Sequence, residues 1–224
     1  MDSESIRKNL RPEYSAQAMG FAPNPMVSRA IEVSKEETTD PDRIADQGCG
    51  KLRHLRLFMS NYTEIFLVET QRQLRRRITL NGQKQTIPEY LHTLPSSQQD
   101  RIEVVSSAEF SDCTMNLDAI FSICVYDVVR QSTRQRLANA ARRNLRPGGL
   151  YVVIAPRNDS SILKRCSKEN EFEDGHYFQH HGIVTFYRNF RRHELIVDMV
   201  QSYGFKLLTD MSRYRQVCMV FVRE

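Results

Sequence analysis

The run Asp46-Gln47-Gly48-Cys49-Gly50 is the part of this 224-residue chain whose residue types and spacing point most directly to chemistry. It follows a short apolar stretch and precedes an amphipathic one, so it falls on a strand-to-helix turn. Glycines there let the backbone bend tightly and approach a ligand closely. The helix start beyond them offers N–H groups that have no intrahelical partner. Glu69 ends the apolar run EIFLVE, 19 residues after Gly50. An acid at the tip of a second strand is placed to accept both hydroxyls of a ribose. The two features together suit an adenosine-containing cofactor.

A dinucleotide fits that pattern poorly. Its fingerprint needs a third glycine three residues after the second, and that position here is Arg53. Side-chain bulk there spoils close helix–strand packing beside a pyrophosphate. Asp46 would repel a pyrophosphate, whereas a carboxylate at that point can hold the ammonium of an amino-acid moiety. A dehydrogenase is therefore a distant alternative.

The elements that must position these residues can be read from periodicity. Asn24 and Pro25 cap an expected helix that begins at Met26. From residue 43 onward short apolar runs alternate with amphipathic stretches. RIADQ, EIFLVE, RIEVVSS, DAIFSICVY, GLYVVIA, FKLLTDM and QVCMVFVRE read as seven strands. KLRHLRLFM, the Arg-rich QRQLRRR, VVRQSTRQRLANAARRN and RRHELIVDMVQSYG read as helices between them. The pattern predicts an α/β fold with a mainly parallel seven-stranded sheet and helices on both faces. The last two runs are joined by too few residues for a parallel crossover, so the last strand should be antiparallel.

On these residues the chain resembles the class I S-adenosylmethionine-dependent methyltransferases, over roughly residues 43–224. Asp-x-Gly-Cys-Gly matches that family's first motif, with Leu52 where many members have a third glycine. Glu69 matches its ribose-binding acid. LRPGGLYVVIAPR (145–157) and DAIFSICVYDVV (118–129) match its fifth and fourth strands with their flanks. The antiparallel close matches as well. The resemblance implies S-adenosyl-L-methionine as cofactor. It puts Asp46, Gly48, Cys49 (by backbone) and Gly50 at the methionine end and Glu69 at the ribose. Thr70, Ser107 and Ala108 fall near the adenine, and Ser122 and Ile123 beside the methionine portion. Ser107 stands where many members carry an Asp.

An acceptor substrate should bind beyond the carboxyl ends of the strands. Three segments can reach there: an N-terminal extension (1–42) with Tyr14, the end of the fourth strand with Tyr126 and Asp127, and a cap-like insert at 156–190. A loop of that length is usually functional, and its aromatic residues argue for order. Tyr14, Tyr126 and His181 are candidate substrate contacts. His181, His180 and Asp127 are candidate general bases, although methyl transfer from a sulfonium can proceed by alignment alone. No metal is expected, because no carboxylate shares helical spacing with His176, His180 and His181.

Composition bounds the rest. Charged residues make up 26% and apolar ones 40% of the chain, as in a globular domain with a real core. Mean hydropathy is −0.52, and no apolar run reaches the roughly 20 residues of a membrane helix. Five scattered cysteines with no CxxC argue against a disulfide scaffold or zinc module. These features and the absence of a secretory signal suggest a cytoplasmic protein. The net charge is +5, and 25 of the 32 basic residues are arginines (32 less 7 lysines). DNA is an improbable substrate, since neither an Asn/Asp/Ser-Pro-Pro-aromatic tetrad nor a Pro-Cys occurs. The expected activity is methyl transfer to O, N or C of a small molecule. RNA methylation through the Arg-rich faces, or a non-catalytic cofactor-binding regulator, are the alternatives.

Overall fold

The computed structural model describes residues 4–6, 24–38, 41–157, 163–164, 166–180 and 183–224, with only the backbone at 180 and 183. Helix α1 (Pro25–Glu37) starts at Asn24, whose Oδ1 accepts the Met26 N–H at 3.0 Å. It buries Met26, Val27, Ala30 and Ile31. Strand β1 (Arg43–Gln47) follows, then α2 (Leu55–Met59), β2 (Glu64–Glu69) and α3 (Gln71–Leu74). The Arg-rich run expected to be one helix ends after a single turn, with Arg75 as its C-cap. Ile78 and Thr79 favour an extended chain. Asn81 and Gly82, at φ 49° and 81°, make the tight turn of a hairpin between β3 (Ile78–Leu80) and β4 (Gln83–Gln85).

Short helices α4 (Ile87–Leu91) and α5 (Ser96–Gln99) lead to β5 (Ile102–Ser106), α6 (Ser107–Asp112) and β6 (Leu117–Ile123). Then come α7 (Gln131–Asn144), β7 (Leu145–Pro156), an insert containing β8 (Glu171–Phe172), β9 (Gly175–His180) and β10 (Ile183–Tyr187), helix α8 (Arg192–Val197), β11 (Phe205–Asp210) and β12 (Gln216–Arg223). The seven-stranded sheet has the order β11-β12-β7-β6-β1-β2-β5. β12 runs antiparallel to both its neighbours, and the other strand pairs are parallel. The short β11–β12 connection dictates that reversal, as the sequence suggested.

Period-two alternation sends residues of each central strand into two cores. Leu150, Val152 and Ile154 of β7 pack with α1 and α2 residues such as Ala30, Leu55 and Phe58. Tyr151, Val153 and Ala155 pack on the other face with Ala138 and Ala141 of α7, Leu195 of α8 and Met199. Burial on both faces explains why these strands read as unbroken apolar runs.

The insert carries a three-stranded antiparallel sheet of its own, ordered β10-β9-β8, over a small core of Phe172, Val184, Phe186 and Ile6. Its acidic turn, Glu173-Asp174, docks on arginines. Arg130 pairs with Glu173, while Arg134 and Arg188 both pair with Asp174. Arg134 sits on the polar helix α7, where an arginine is ordinarily solvated. It is instead 1% exposed, with Nη1 donating to the Val129 carbonyl at 2.6 Å. The Phe190 ring lies under both Arg134 and Arg188.

Candidate functional site: a cleft at the carboxyl ends of β1, β2 and β6

The chain leaves β1 by bending toward β2. Gly48 N–H donates to the Val68 carbonyl at 2.8 Å, and Cys49 N–H reaches the same oxygen at 3.3 Å. Gly48 (φ 84°), Gly50 (φ 53°) and Leu52 (φ 56°) are all left-handed. A side chain on Gly48 would put its Cβ 2.4 Å from Cγ2 of Val125, so the loop and the chain beyond β6 touch there. Leu52, at the position where many members of the resembled family have a third glycine, takes the left-handed conformation that glycine favours.

Two acids stand at adjacent strand ends. Asp46, in register with Leu67 of β2 and Phe121 of β6, is 2% exposed, and its Oδ2 has no hydrogen-bond partner. Burial pushes its carboxyl up to about 7, with the nearby Glu69 adding to the shift and Arg53 opposing it. Glu69, level with Ser106 of β5, is 7% exposed. Its Oε2 accepts the Gly50 N–H at 3.2 Å and its Oε1 accepts the Thr70 N–H at 2.8 Å. Burial raises the Glu69 carboxyl too, and those two backbone donors counter the shift.

A cleft of about 30 Å³ lies between the loop 48–54 and the Ile123–Cys124 tip of β6, with Asp46 in its wall. Lys51, Arg53 and His54 also line it. His54 is buried, and Nε2 accepts the Asn24 backbone N–H at 3.1 Å. Burial, with help from Arg53, lowers its imidazole to about 4, so it is neutral. Cys124 sits at φ 57°, and burial raises its thiol to about 12. Asp127 is 2% exposed, Oδ1 lacks a partner, and burial raises its carboxyl to about 7.

No protein-family model matches the chain. The uncharacterized protein YmfD of Escherichia coli (strain K12) is 24% identical over 213 residues, covering 92% of this chain and 88% of its own. A SAM-dependent methyltransferase from Methanosarcina mazei superposes with a TM-score of 0.65 at 14% identity, over 90% of this chain and 98% of that one. The 1,6-didemethyltoxoflavin-N1-methyltransferase of Burkholderia thailandensis, with bound 1,6-didemethyltoxoflavin and S-adenosylhomocysteine, superposes at 0.60 and 13% identity, over 89% and 78%.

The fold is that of the class I methyltransferases.

Within that methyltransferase fold the residues singled out from sequence separate into groups. Asp46, Gly48, Cys49, Gly50 and Ile123 all border the cleft. Glu69 joins it through its bond to Gly50, and Thr70 caps α3, its Oγ1 accepting the Gln73 N–H at 3.3 Å. Ser107 and the exposed Ala108 begin α6, beyond the end of β5. Ser122 is wholly buried, one residue out of phase with the cleft-lining Ile123. Tyr126 does not reach a substrate surface: it is 1% exposed and packs in the core with Tyr151 and Phe190, its hydroxyl 3.0 Å from that of Tyr151. Tyr14, His181 and the side chain of His180 lie outside the described residues. Lys51, His54 and Cys124 line the cleft without having been singled out, and Arg53, noted only for breaking the dinucleotide pattern, lines it too. Arg53 and His54 left a trace in the sequence, as two polar residues between Leu52 and Leu55. Among the described residues no three His, Cys, Asp or Glu cluster as metal ligands, and no helix is long and apolar enough to cross a membrane.

Proposed function

We propose that the chain binds S-adenosyl-L-methionine and transfers its methyl group to an O, N or C atom of a small molecule. One observation carries this reading. A buried carboxylate oxygen of Asp46 stands without a partner at the end of β1, in a glycine-turned cleft beside Glu69. An α-ammonium supplies the donor that Asp46 lacks. Glu69 spends one lone pair of each oxygen on backbone N–H groups and keeps another on each for a pair of ribose hydroxyls. Thr70, Ser107 and Ala108 are assigned to the adenine side, and Ile123 to the methionine side, with Ser122 supporting it from the core.

When bound, S-adenosylmethionine supplies an electrophilic methyl on its sulfonium. The protein's part is alignment and exclusion of water. Where the acceptor carries a proton, His181, His180 and Asp127 are the candidate bases; Asp127 is 2% exposed and is not among the residues lining the cleft. The insert acts as a cap, in our reading of residues 156–190. A small acceptor is favoured over RNA because Arg130, Arg134 and Arg188 are engaged by carboxylates of that insert. The five free cysteines suit a reducing compartment, and we assign the protein to the cytoplasm.

The test is calorimetric titration with S-adenosylhomocysteine and with NAD. Micromolar affinity for the first and none for the second is expected. Labelled methyl transfer then distinguishes small-molecule pools from RNA, and salt-sensitive retention of RNA would favour the latter. Cofactor binding with no turnover on any acceptor would favour a regulator.

A further inference from the structure

A chain of polar groups crosses the apolar core between β1 and α7. It starts at Gln47, the last residue of β1, which is 1% exposed. Gln47 Nε2 donates to the Leu137 carbonyl of α7 at 3.1 Å, and its Oε1 accepts the Tyr151 hydroxyl at 2.8 Å. The Tyr126 hydroxyl lies 3.0 Å from that of Tyr151 and 3.4 Å from the Arg134 carbonyl, three residues before Leu137 on the same helix. A hydroxyl has one proton. Tyr151 gives its own to Gln47, so Tyr126 shares its proton between Tyr151 and the Arg134 carbonyl. Around these groups lie Ala138, Val153 and Phe205. Phenylalanine and methionine would fill the same space without the desolvation that hydroxyls and an amide incur.

We propose that Gln47 is a positioning residue that links the docking of the insert on α7 to the shape of the glycine turn, so that docking and occupation of the cleft favour each other. This rests on the cofactor and cap readings above and adds the residue that connects them. At one end of the chain, Gln47 stands between Asp46 and Gly48, which both line the cleft, while Gln47 itself does not. At the other end, Arg134 of α7 pairs with Asp174 in the acidic turn of the insert. The insert has its own sheet and its own small core, so it moves as a unit against the main sheet. Gln47 is tied to α7 directly at Leu137 and through two tyrosines at Arg134. A shift of α7 must therefore carry Gln47 with it or leave buried polar groups unpaired. Coupling of this kind is reciprocal: what the insert does to the turn, a ligand in the cleft does to the insert.

The experiment is amide hydrogen exchange on wild type, Asp174→Asn, Gln47→Met and the double variant, first in the empty protein. Amides of β5, which takes no part in the chain, are the reference for global loosening. Asp174→Asn should speed exchange at Gly48 and Cys49 at least about fivefold relative to β5, the low end of an ordinary coupling energy. In the Gln47→Met background the same substitution should change those amides by less than about twofold. Tyr151→Phe keeps the bond to Leu137 and should fall between the two; it is read in place of Gln47→Met if that variant does not fold. S-adenosylhomocysteine is then added. It should slow exchange within residues 172–177 at least about fivefold in wild type and less than about twofold in Gln47→Met. The proposal is overturned if Asp174→Asn loosens only the insert or loosens Gly48 and β5 alike, if Gln47→Met leaves the effect intact, or if bound S-adenosylhomocysteine leaves the insert unchanged. A wild-type protein that does not bind S-adenosylhomocysteine ends the cofactor reading, and the empty-protein comparison then decides the link by itself.

Discussion

The backbone N–H of Asn24 donates to Nε2 of His54, 3.1 Å away. That bond ties the start of α1 to the loop lining the cleft, so the leading helix and the candidate cofactor site are held as one unit. It also fixes the imidazole proton on Nδ1.

Replacing His54 with Phe keeps a ring in the pocket but leaves the Asn24 N–H without an acceptor. The expected cost is about 1–3 kcal/mol, the desolvation penalty of an unpaired buried donor. At ~2–4 °C per kcal/mol for a chain of this size, the melting temperature should drop by several degrees. The lowered imidazole pKa means that His54 contributes stability above its unfolded value of 6.5, and that this is lost as pH falls toward about 4. His54→Phe should lose that part of the acid sensitivity. Thermal melts between pH 4 and 7 check both effects.

Glu69→Ala should weaken S-adenosylhomocysteine binding roughly 10- to 150-fold, from the loss of about 1.5–3 kcal/mol of hydrogen bonding to a charged group. Because Glu69 also holds the Gly50 N–H, the loop 48–54 should become more open in the variant. Calorimetry gives the first quantity and amide hydrogen exchange at Gly50 the second. An unchanged affinity would remove Glu69 from the ribose role.

The raised carboxyl of Asp46 sets a pH dependence for binding. An ammonium is held by the charged form, so affinity should rise with pH by up to about tenfold per unit below about 7 and level off above it. Asp46→Asn should bind weakly with no such slope. In the empty protein the sign reverses. The folded values of Asp46 and Asp127 exceed the usual 3.8, so the stability they contribute is full below about 4 and is lost as pH rises through about 7. Asp127→Asn should flatten that decline, and melts at pH 5 and 8 in both proteins provide the comparison.

Arg134→Ala would strand Asp174, whose Oδ1 is already buried without a partner. Breaking one side of a buried pair costs about 3–5 kcal/mol, although the remaining bond from Arg188 reduces the loss. The insert should loosen first. Limited proteolysis should cut faster within residues 166–187, while the seven-stranded sheet keeps its protection.

Much of this molecule was legible from local pattern. RIADQ and EIFLVE became β1 and β2 at their expected bounds; in EIFLVE the apolar run of a strand buried on both faces carries the signal, whereas RIADQ buries the polar Asp46 and Gln47 behind Ile44 and Ala45. The glycine turn, Glu69 at its strand tip and the reversal of β12 likewise follow from residues close together in sequence. The hairpin after α3 and the three-stranded sheet within the insert did not emerge. Their strands are short, and the insert's pairing rests on contacts that no local period encodes.

The sequence by itself determined the order of strands and helices, the turn after β1 and the acid nineteen residues beyond it, since steric preference and hydrophobic period act over a few residues. Tertiary structure alone decided which polar groups lost their water. Arg134 reads from sequence like any arginine on an amphipathic helix, and Tyr126 like any tyrosine at a strand end. Both are about 1% exposed because the insert and the second core close over them. Desolvation depends on everything packed around a group, and only the folded chain brings Asp46, Arg53, His54 and Cys124 around one cleft.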